Sequence, residues 1–381
     1  MLLLVWKPFP HAYLALYLAL ICTPLVIRPS PHRRWFFVPL LLLTWRLLHD
    51  AEAEYITSMF WVIHLLIASD YILLTDVQRE LSQQDAMHAR SRSPHKIEDA
   101  ALAKRIKWGL TLFFNPRGVG WAHEPHFALP ARPAANTSRM HFFACQLARL
   151  AGAILLFDLG NLHVRWNPAF RLRAGLAGAG LSWRIIGTVG WVCSASSGIL
   201  LAHITASLIC VALGVSRPQD WPPLFGGWRD VSSVRRFWAR GWHQLLRRSL
   251  CAHAKFATHV LLRLPPNSGA ACCVYILAAF ALSGLVHHLG ETVALGGRAR
   301  SGSLLFFGIQ PVALALETLL APRMPRWARA LGPAWVLAWF SLTLPIMQDP
   351  LIRTGVLYSR VEVSIIMRMC RGTWVLPSVP S

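Results

Sequence analysis

Residues 270–288 read AACCVYILAAFALSGLVHH and decide the fold class of this chain. The run contains no Asp, Glu, Lys or Arg, and about 20 mainly apolar residues are enough for an α-helix to cross the hydrocarbon core of a bilayer. Comparable apolar runs recur along the chain. They predict an all-α, polytopic transmembrane bundle with about eight spans, at residues 11–27, 35–48, 56–74, 142–160, 185–213, 270–288, 303–321 and 333–349.

The composition excludes most other classes of protein. Of the 381 residues, 55% are hydrophobic and 14% are charged, whereas a soluble domain has roughly 25% charged residues. A net charge of +21 would suggest nucleic acid if the protein were soluble, but no zinc-finger, helix-turn-helix or RNA-binding motif accompanies the arginines. We therefore expect the lipid bilayer and a phosphate-bearing cosubstrate as partners, and no nucleic acid.

The basic residues predict an orientation. Ten Lys and Arg lie in 75–141 and nine in 214–265, and cytosolic loops of membrane proteins carry such an excess. We expect the endoplasmic reticulum as the membrane and a lumenal N-terminus. The predicted cytosolic loops are 28–34, 75–141, 214–265 and 322–332, and the predicted lumenal loops are 49–55, 161–184 and 289–302.

No linker divides the chain, so we expect residues 1–381 to form a single integral membrane domain. The first apolar run lacks a cleavage site of small residues and is expected to be a retained anchor. Segment 351–370 carries four charged residues and is expected to lie in the membrane interface. The eight cysteines form no CxxC and no ligand spacing with histidine, which predicts buried thiols and no bound metal.

Ionisable side chains in a transmembrane helix are costly and mark candidate sites. Segment 282–291 ends LVHHLGE, with His287 and Glu291 four residues apart and therefore on one face of a continuous helix. One interpretation is a pair of histidines, His287 and His288, satisfied at the membrane interface. The other is a general base between helices, because an imidazole with a pKa near 6.5 suits proton transfer at neutral pH.

A second candidate region is 221–248, where aromatic residues alternate with arginines. A helix that lies on the membrane surface has this composition. Alternatively, the arginines bind the phosphates of a cosubstrate and His243 offers a donor beside an apolar wall. The residues of this second interpretation are Arg236, Arg240, Trp242, His243, Arg247 and Arg248.

Three further positions carry polar groups in or near spans. Gln310 and Glu317, seven residues apart, share a helical face and are interpreted as interhelical hydrogen-bonding groups or as part of a site. Asp70 and Asp158 lie near span ends and are expected at the interface.

The sequence has no GxSxG, P-loop or HExxH motif. Acyl transfer from a thioester to an alcohol needs no such motif, because the thioester already carries a good leaving group. It needs a base for the hydroxyl and donors for the developing oxyanion. A buried histidine beside a polar partner meets the first requirement.

Three motifs together resemble the wax-synthase-like branch of the membrane-bound O-acyltransferases, in particular fungal acetyltransferases of meroterpenoid and terpenoid pathways. They are WPPLFG at 221–226, RRFWARGWHQLLRR at 235–248 and SGLVHH at 283–288, within a similar stretch of about 110–350. Two positions depart from the family pattern: Ala239 replaces a glycine, and His288 stands where other branches carry Glu.

The resemblance implies an internal reaction chamber in which His287 is catalytic and His243 supports it. It leaves open which of His287 and His288 faces the chamber, and we favour His287. Acetyl-CoA would be the cosubstrate, with no bound cofactor, and an apolar hydroxylated small molecule the acceptor. The candidate binding residues are Arg236, Arg240, Trp242 and Arg247, and the candidate supporting residues are His288, Glu291 and Glu317.

The leading prediction is therefore an O-acetyltransferase that transfers acetyl to a hydroxyl by general-base catalysis. A long-chain acyl-CoA:alcohol wax-ester synthase would share every motif and differ in chamber width. A proton-coupled transporter could use His287, Glu291 and Glu317 as a relay, but it predicts inverted repeats, which we do not find.

Overall fold

The computed structural model describes residues 11–49, 55–84, 96–320, 322, 330–357 and 364–372. Over these ranges the chain is helical, and its β-structure is one isolated bridge between Gln83 and Trp121. The main helices are α1 (His11–Val26), α2 (Phe37–Leu48), α3 (Tyr55–Ser69), α4 (Leu102–Phe113), α5 (Arg139–Trp166), α6 (Leu181–Ala212), α7 (Arg247–Lys255), α8 (Gly269–Leu295), α9 (Ser303–Leu320), α10 (Gly332–Arg353) and α11 (Ile365–Arg371).

Five helices among the described residues are long and apolar enough to cross a membrane: α3 with its continuation to Leu74, α5, α6, α8 and α9. They confirm the all-α class, and five of the predicted spans are helices of sufficient length and apolarity to be candidate crossings. The other three apolar runs form helices of 16, 12 and 22 residues, α1, α2 and α10, so the count of eight stays a prediction. Residues 50–54, 85–95, 321, 323–329 and 358–363, which belong to predicted loops, a span end and the interface segment, lie outside the described residues.

The transmembrane helices direct apolar side chains outward. Only 17% of the apolar window of α8 and 22% of that of α5 are buried within the protein. Lipid is the solvent that such a surface requires. The expectation of buried thiols is wrong: Cys272, Cys273 and Cys370 are exposed, and the other five cysteines are half-buried. Cys272 and Cys273 lie in the apolar helix α8, where a small apolar thiol can face lipid.

The described chain forms two compact units. Unit 1 comprises the residues up to His126 together with Gln244–Gly297, and unit 2 comprises Phe127–His243 together with the residues from Arg298 onward. Each unit is therefore built from two stretches that are separate in the sequence.

The core of unit 1 lies between α1, α3 and α4. The ring of Tyr17 is 4.9 Å from that of Trp61, and its hydroxyl donates to the Trp61 carbonyl at 3.2 Å. Helix α8 packs on α3 at Gly290, where a Cβ atom would lie 2.4 Å from the sulfur of Met59. The absence of a side chain at Gly290 thus permits the close approach of the helix that carries His287.

The end of α3 holds a buried ion pair. Asp70 has no exposed surface, and its Oδ2 lies 3.3 Å from Nε of Arg248, which lies in α7. Thr75 donates its hydroxyl to Oδ1 of Asp70 at 2.7 Å, and Ser249 donates to Oδ2 at 3.3 Å. A partner distant in sequence therefore compensates the charge of Asp70 inside the protein, and the expected level of Asp70 at the membrane interface stays a prediction.

Replacement of Asp70 by Leu should lower the stability of the protein by about 3 kcal/mol, because it leaves Arg248 buried without its counter-charge. The thermal midpoint in neutral detergent measures the effect. The double variant Asp70→Leu/Arg248→Met should recover much of the loss, and Asp99→Ala, which removes an exposed carboxylate, should change little. Equal midpoints for Asp70→Leu and Asp99→Ala would contradict the stabilising role of the pair.

Residues 115–124 of unit 1 form a tight turn. Asn115 accepts from the Val119 N–H at 3.0 Å, and Gly118 has a φ of +65°, which favours glycine. The ring of His123 packs where a Gly118 side chain would lie, 2.7 Å from an ideal Cβ. Burial, with the nearby charge of Arg248, lowers the pKa of His123 to about 4, so the native protein holds this ring neutral.

The low pKa of His123 predicts acid sensitivity. In the unfolded chain a histidine binds a proton below a pH of about 6.5, whereas in the native protein His123 does so only near pH 4. The stability that depends on the neutral ring is therefore complete above about pH 6.5 and falls as the pH approaches 4. The thermal midpoint of His123→Asn should fall less between pH 7 and 5 than that of the wild type. His32→Asn, at an exposed histidine, should keep the wild-type slope, and equal slopes for the two variants would refute the prediction.

The core of unit 2 is the α5–α6 pair. The two helices approach closely at glycines: an ideal Cβ on Gly190 would lie 2.2 Å from the His163 ring, and one on Gly160 would lie 2.0 Å from the Ser194 hydroxyl. Asp158 of α5 is buried and accepts from the Ser364 hydroxyl at 3.0 Å and the Ile366 N–H at 2.8 Å. The carboxylate of Asp158 therefore caps α11 inside the protein, and its expected level at the membrane interface stays a prediction.

Contacts within each unit agree with the predicted alternation of loops. Arg33 of loop 28–34 pairs with Asp76 of loop 75–141 at 3.4 Å. In unit 2, Gly332 lies against the carbonyl of Ser232, which joins two loops predicted to be cytosolic. Loops predicted to share a face thus contact each other.

Candidate active site

Helix α8 continues without a break to Leu295 and ends at Gly296, whose φ of +54° is left-handed. His287 and Glu291 therefore lie on one helical face, as predicted. Glu291 is fully buried, and its carboxylate lies within electrostatic range of the Tyr55 hydroxyl of α3. His287 and His288 are both half-buried. The Nδ1 atoms of both rings are shielded from solvent, so the choice of His287 stays a prediction.

Residues 221–243 do not form a surface helix. The chain makes a short helical turn at Val234–Arg236 and a π-helical turn at Phe237–Gly241, and it becomes extended at Trp242. The Gly226 N–H donates to the Gly241 carbonyl at 3.0 Å and closes the segment into a loop. A Cβ on Gly226 would lie 2.6 Å from the Arg240 carbonyl oxygen, so the closure requires a glycine there.

Asp230 organises the basic side of this loop. Its carboxylate accepts from the Gly227 N–H at 3.1 Å and pairs with Nε of Arg240 at 3.2 Å and with Arg236 at 3.7 Å. Two guanidinium groups share one carboxylate, so the group keeps a net positive charge. Both arginines are about half-exposed and can still meet an anion from solvent.

The expected apolar wall is present beside His243. The imidazole lies 5.3 Å from the ring of Trp242 and 6.3 Å from that of Phe225. Trp191 of α6 stacks on Trp242 with a centroid distance of 6.4 Å and an interplanar angle of 14°. Sequence reasoning missed Trp191, because nothing in the pattern of α6 indicates which loop it contacts.

Glu317 of α9 holds the start of the loop. Its carboxylate accepts from the Val234 N–H at 2.6 Å, the Arg235 N–H at 3.0 Å and the indole N–H of Trp335 at 2.8 Å. It thereby caps the backbone donors at the start of a helical turn. This geometry assigns Glu317 a role in fixing the backbone of the motif.

Gln310, which lies two turns before Glu317 in α9, contacts the same loop. Its side-chain oxygen accepts from the indole N–H groups of Trp238 at 3.2 Å and Trp339 at 3.0 Å. Its amide nitrogen donates to the Phe306 carbonyl at 2.9 Å, which fixes the orientation of the side chain. The hydrogen-bonding interpretation of Gln310 and Glu317 is thus confirmed, and their partners are the aromatic motif.

The remaining basic candidate, Arg247, lies in unit 1 and donates to the Gln244 side chain at 2.9 Å. Arg248 forms the ion pair with Asp70 described above, which is a structural contact. Unit 1 therefore holds His287, His288, Glu291 and Arg247, and unit 2 holds Arg236, Arg240, Trp242, His243 and Glu317. No group of three His, Cys, Asp or Glu side chains in the described part of the chain could hold a metal ion.

Comparison with known proteins identifies the family. A sequence profile of the membrane bound O-acyl transferase family matches residues 221–309, which include all three motifs and His287. The acetyltransferase ple2 of Rhodocybe pseudopiperita is 35% identical over 98% of this chain and 99% of its own length. The acetyltransferase eriL of Hericium erinaceus is 30% identical over 92% and 93%. The chain belongs to the membrane-bound O-acyltransferase family.

Family membership makes the protein an acyltransferase enzyme in a membrane and contradicts the transporter hypothesis. The resemblance to fungal acetyltransferases drawn from the three motifs is confirmed. A third relative, the acetyltransferase ataH of Aspergillus terreus, is 37% identical over 62% of this chain and 86% of its own length. No solved structure matches the chain at a significant level.

Glu317→Gln should lower the acyl-transfer rate at least tenfold, about 1.4 kcal/mol in the barrier. The new amide group places an N–H against a backbone N–H and removes the charge that strengthened three hydrogen bonds. Activity per unit of membrane-inserted protein measures the effect. Val312→Ala, at an exposed position on the same helix, is the control. A normal rate in Glu317→Gln would show that the carboxylate is dispensable.

Proposed function

We propose that this acyltransferase is an O-acetyltransferase that moves acetyl from acetyl-CoA to a hydroxyl of an apolar, meroterpenoid- or terpenoid-like secondary metabolite. The observation that carries the proposal is the position of His287, solvent-shielded at Nδ1 inside an apolar helix and one turn from the buried Glu291. The names of the full-length relatives support acetyl as the group transferred.

In the proposed reaction, a ring nitrogen of His287 takes the proton of the acceptor hydroxyl. The hydroxyl oxygen attacks the thioester carbonyl, and a tetrahedral oxyanion forms. The C–S bond then breaks, the CoA thiolate leaves, and the imidazolium returns the proton to it. The products are the acetate ester and free CoA, so no covalent enzyme intermediate is required.

The other residues supply binding and support. His243 stabilises the oxyanion or positions the thioester beside Trp242. Arg236, Arg240 and Arg247 bind phosphates of CoA, since the pair on Asp230 retains a positive charge. Glu291 and His288 support the catalytic ring, and Glu317 fixes the backbone of the motif.

The setting follows from the same proposal. Eight crossings enclose an internal chamber in the endoplasmic reticulum membrane, the basic loops face the cytosol, and acetyl-CoA arrives from that side. The acceptor reaches the chamber from the bilayer, which dissolves apolar polycyclic molecules. The cosubstrate supplies the acyl group, and no bound cofactor is required.

The proposal predicts that His287→Ala abolishes acetylation, because no other group takes the hydroxyl proton. Microsomes that contain the variant are incubated with radiolabelled acetyl-CoA and a panel of hydroxylated terpenoids. Product is measured by chromatography and normalised to protein level. We expect at least a 100-fold loss, within the range that general-base catalysis contributes.

His288→Ala is the matched control, since its ring is equally buried on the same helix. It should lose far less activity than His287→Ala, because His288 supports the catalytic ring and takes no proton. A full rate in His287→Ala with full loss in His288→Ala would reassign the base. Palmitoyl-CoA supplied in competition tests the donor: preferential formation of palmitoyl esters would replace the acetyltransferase by a long-chain ester synthase.

A further inference from the structure

Unit 2 contains a cavity of about 460 Å³ at the C-terminal end of α10. Its walls come from α10 and from two loops, and they combine an apolar side with a charged side. Leu342, Pro345 and Ile346 form the apolar side. Arg300, Asp349 and Arg353 form the charged side. None of these residues belongs to the motifs assigned to acetyl transfer.

The loop that carries Arg300 is held tightly against α10. A Cβ atom on Gly302 would lie 1.8 Å from the carbonyl oxygen of Ile346, so only glycine permits this approach. The opposite loop is fixed by Asp349, which accepts from the Leu176 N–H at 2.6 Å and the Ala177 N–H at 3.1 Å. The cavity is therefore bounded by backbone that has little freedom to close it.

The charges around the cavity do not cancel. The Asp349 carboxylate is buried and satisfied by two backbone donors, and Arg353 lies 3.9 Å from it. Arg300 is exposed and forms no ion pair with any residue that the structure describes. Two guanidinium groups thus stand beside one carboxylate that other donors already satisfy, and the rim attracts anions.

The position of the cavity at the ends of α9 and α10 indicates which kind of anion it binds. Arg300 lies three residues before Ser303, where the candidate span α9 begins, and Arg353 is the last residue of α10. Three residues extend at most about 10 Å, so Arg300 lies at the level where lipid phosphates meet the end of a span. Apolar walls next to a positive rim match a molecule with a phosphate head and a hydrocarbon chain.

We propose that this cavity binds an anionic phospholipid. Its phosphate contacts Arg300 and Arg353, and the first part of its acyl chain lies against Pro345 and Ile346. The bound lipid neutralises the rim and ties loop 298–302 to the end of α10, so it stabilises unit 2 without taking part in acyl transfer.

The test uses the full-length protein purified in neutral detergent. Phosphatidylglycerol, phosphatidylcholine and glycerol phosphate are titrated separately, and binding is followed by native mass spectrometry and by the thermal midpoint. Phosphatidylglycerol should bind best and raise the midpoint. Arg300→Gln/Arg353→Gln should weaken its binding at least tenfold.

The matched control is Arg139→Gln/Arg171→Gln, which removes two exposed arginines of unit 2 that do not line the cavity. It should bind phosphatidylglycerol as the wild type does. Equal binding by the two double variants would overturn the site. Equal affinity for phosphatidylcholine would overturn the charge argument, and equal affinity for glycerol phosphate would identify a site for soluble anions. Neither lipid binding nor the thermal midpoint depends on acyl transfer, so the result does not depend on the function proposed above.

Discussion

An ionised side chain in the middle of a membrane helix costs roughly 3 kcal/mol or more unless an opposite charge or hydrogen bonds replace the lost water. Three buried carboxylates of the described chain meet this requirement. Asp70 meets a guanidinium, and Asp158 and Asp349 meet backbone N–H groups. In each case the partner lies in another segment of the chain. The need to satisfy a buried charge therefore also ties the loops to the transmembrane helices.

The same constraint shapes the region with the strongest family signal. Residues 226–241 do not form a regular helix, so some of their backbone N–H groups need hydrogen-bond acceptors from other segments. Glu317 binds two of its N–H groups, and Gln310 binds the indole of Trp238. Glu317 of α9 thus satisfies backbone donors of this segment, and Gln310 of the same helix fixes one of its aromatic side chains. Side chains of α9 thus hold the start of the segment that carries Arg240 and His243.

Helix α8 shows the opposite solution. It is regular over 27 residues, most of its apolar surface faces outward, and its few polar groups are concentrated near its end. His287 and Glu291 share a face because the helix is continuous. A side chain on such a rigid helix keeps its position relative to its neighbours on the same face.

The sequence by itself determined the membrane class, the five spans of sufficient length and apolarity, and the common face of His287 and Glu291. These features depend on composition and on periodicity within one helix, which are local. The tertiary structure alone decided which group each polar side chain meets. Asp70 and Ser249 are 179 residues apart, Asp158 and Ser364 are 206 apart, and Trp191 meets Trp242 from another helix. Such pairings depend on which segments pack together, and no local pattern encodes the partner.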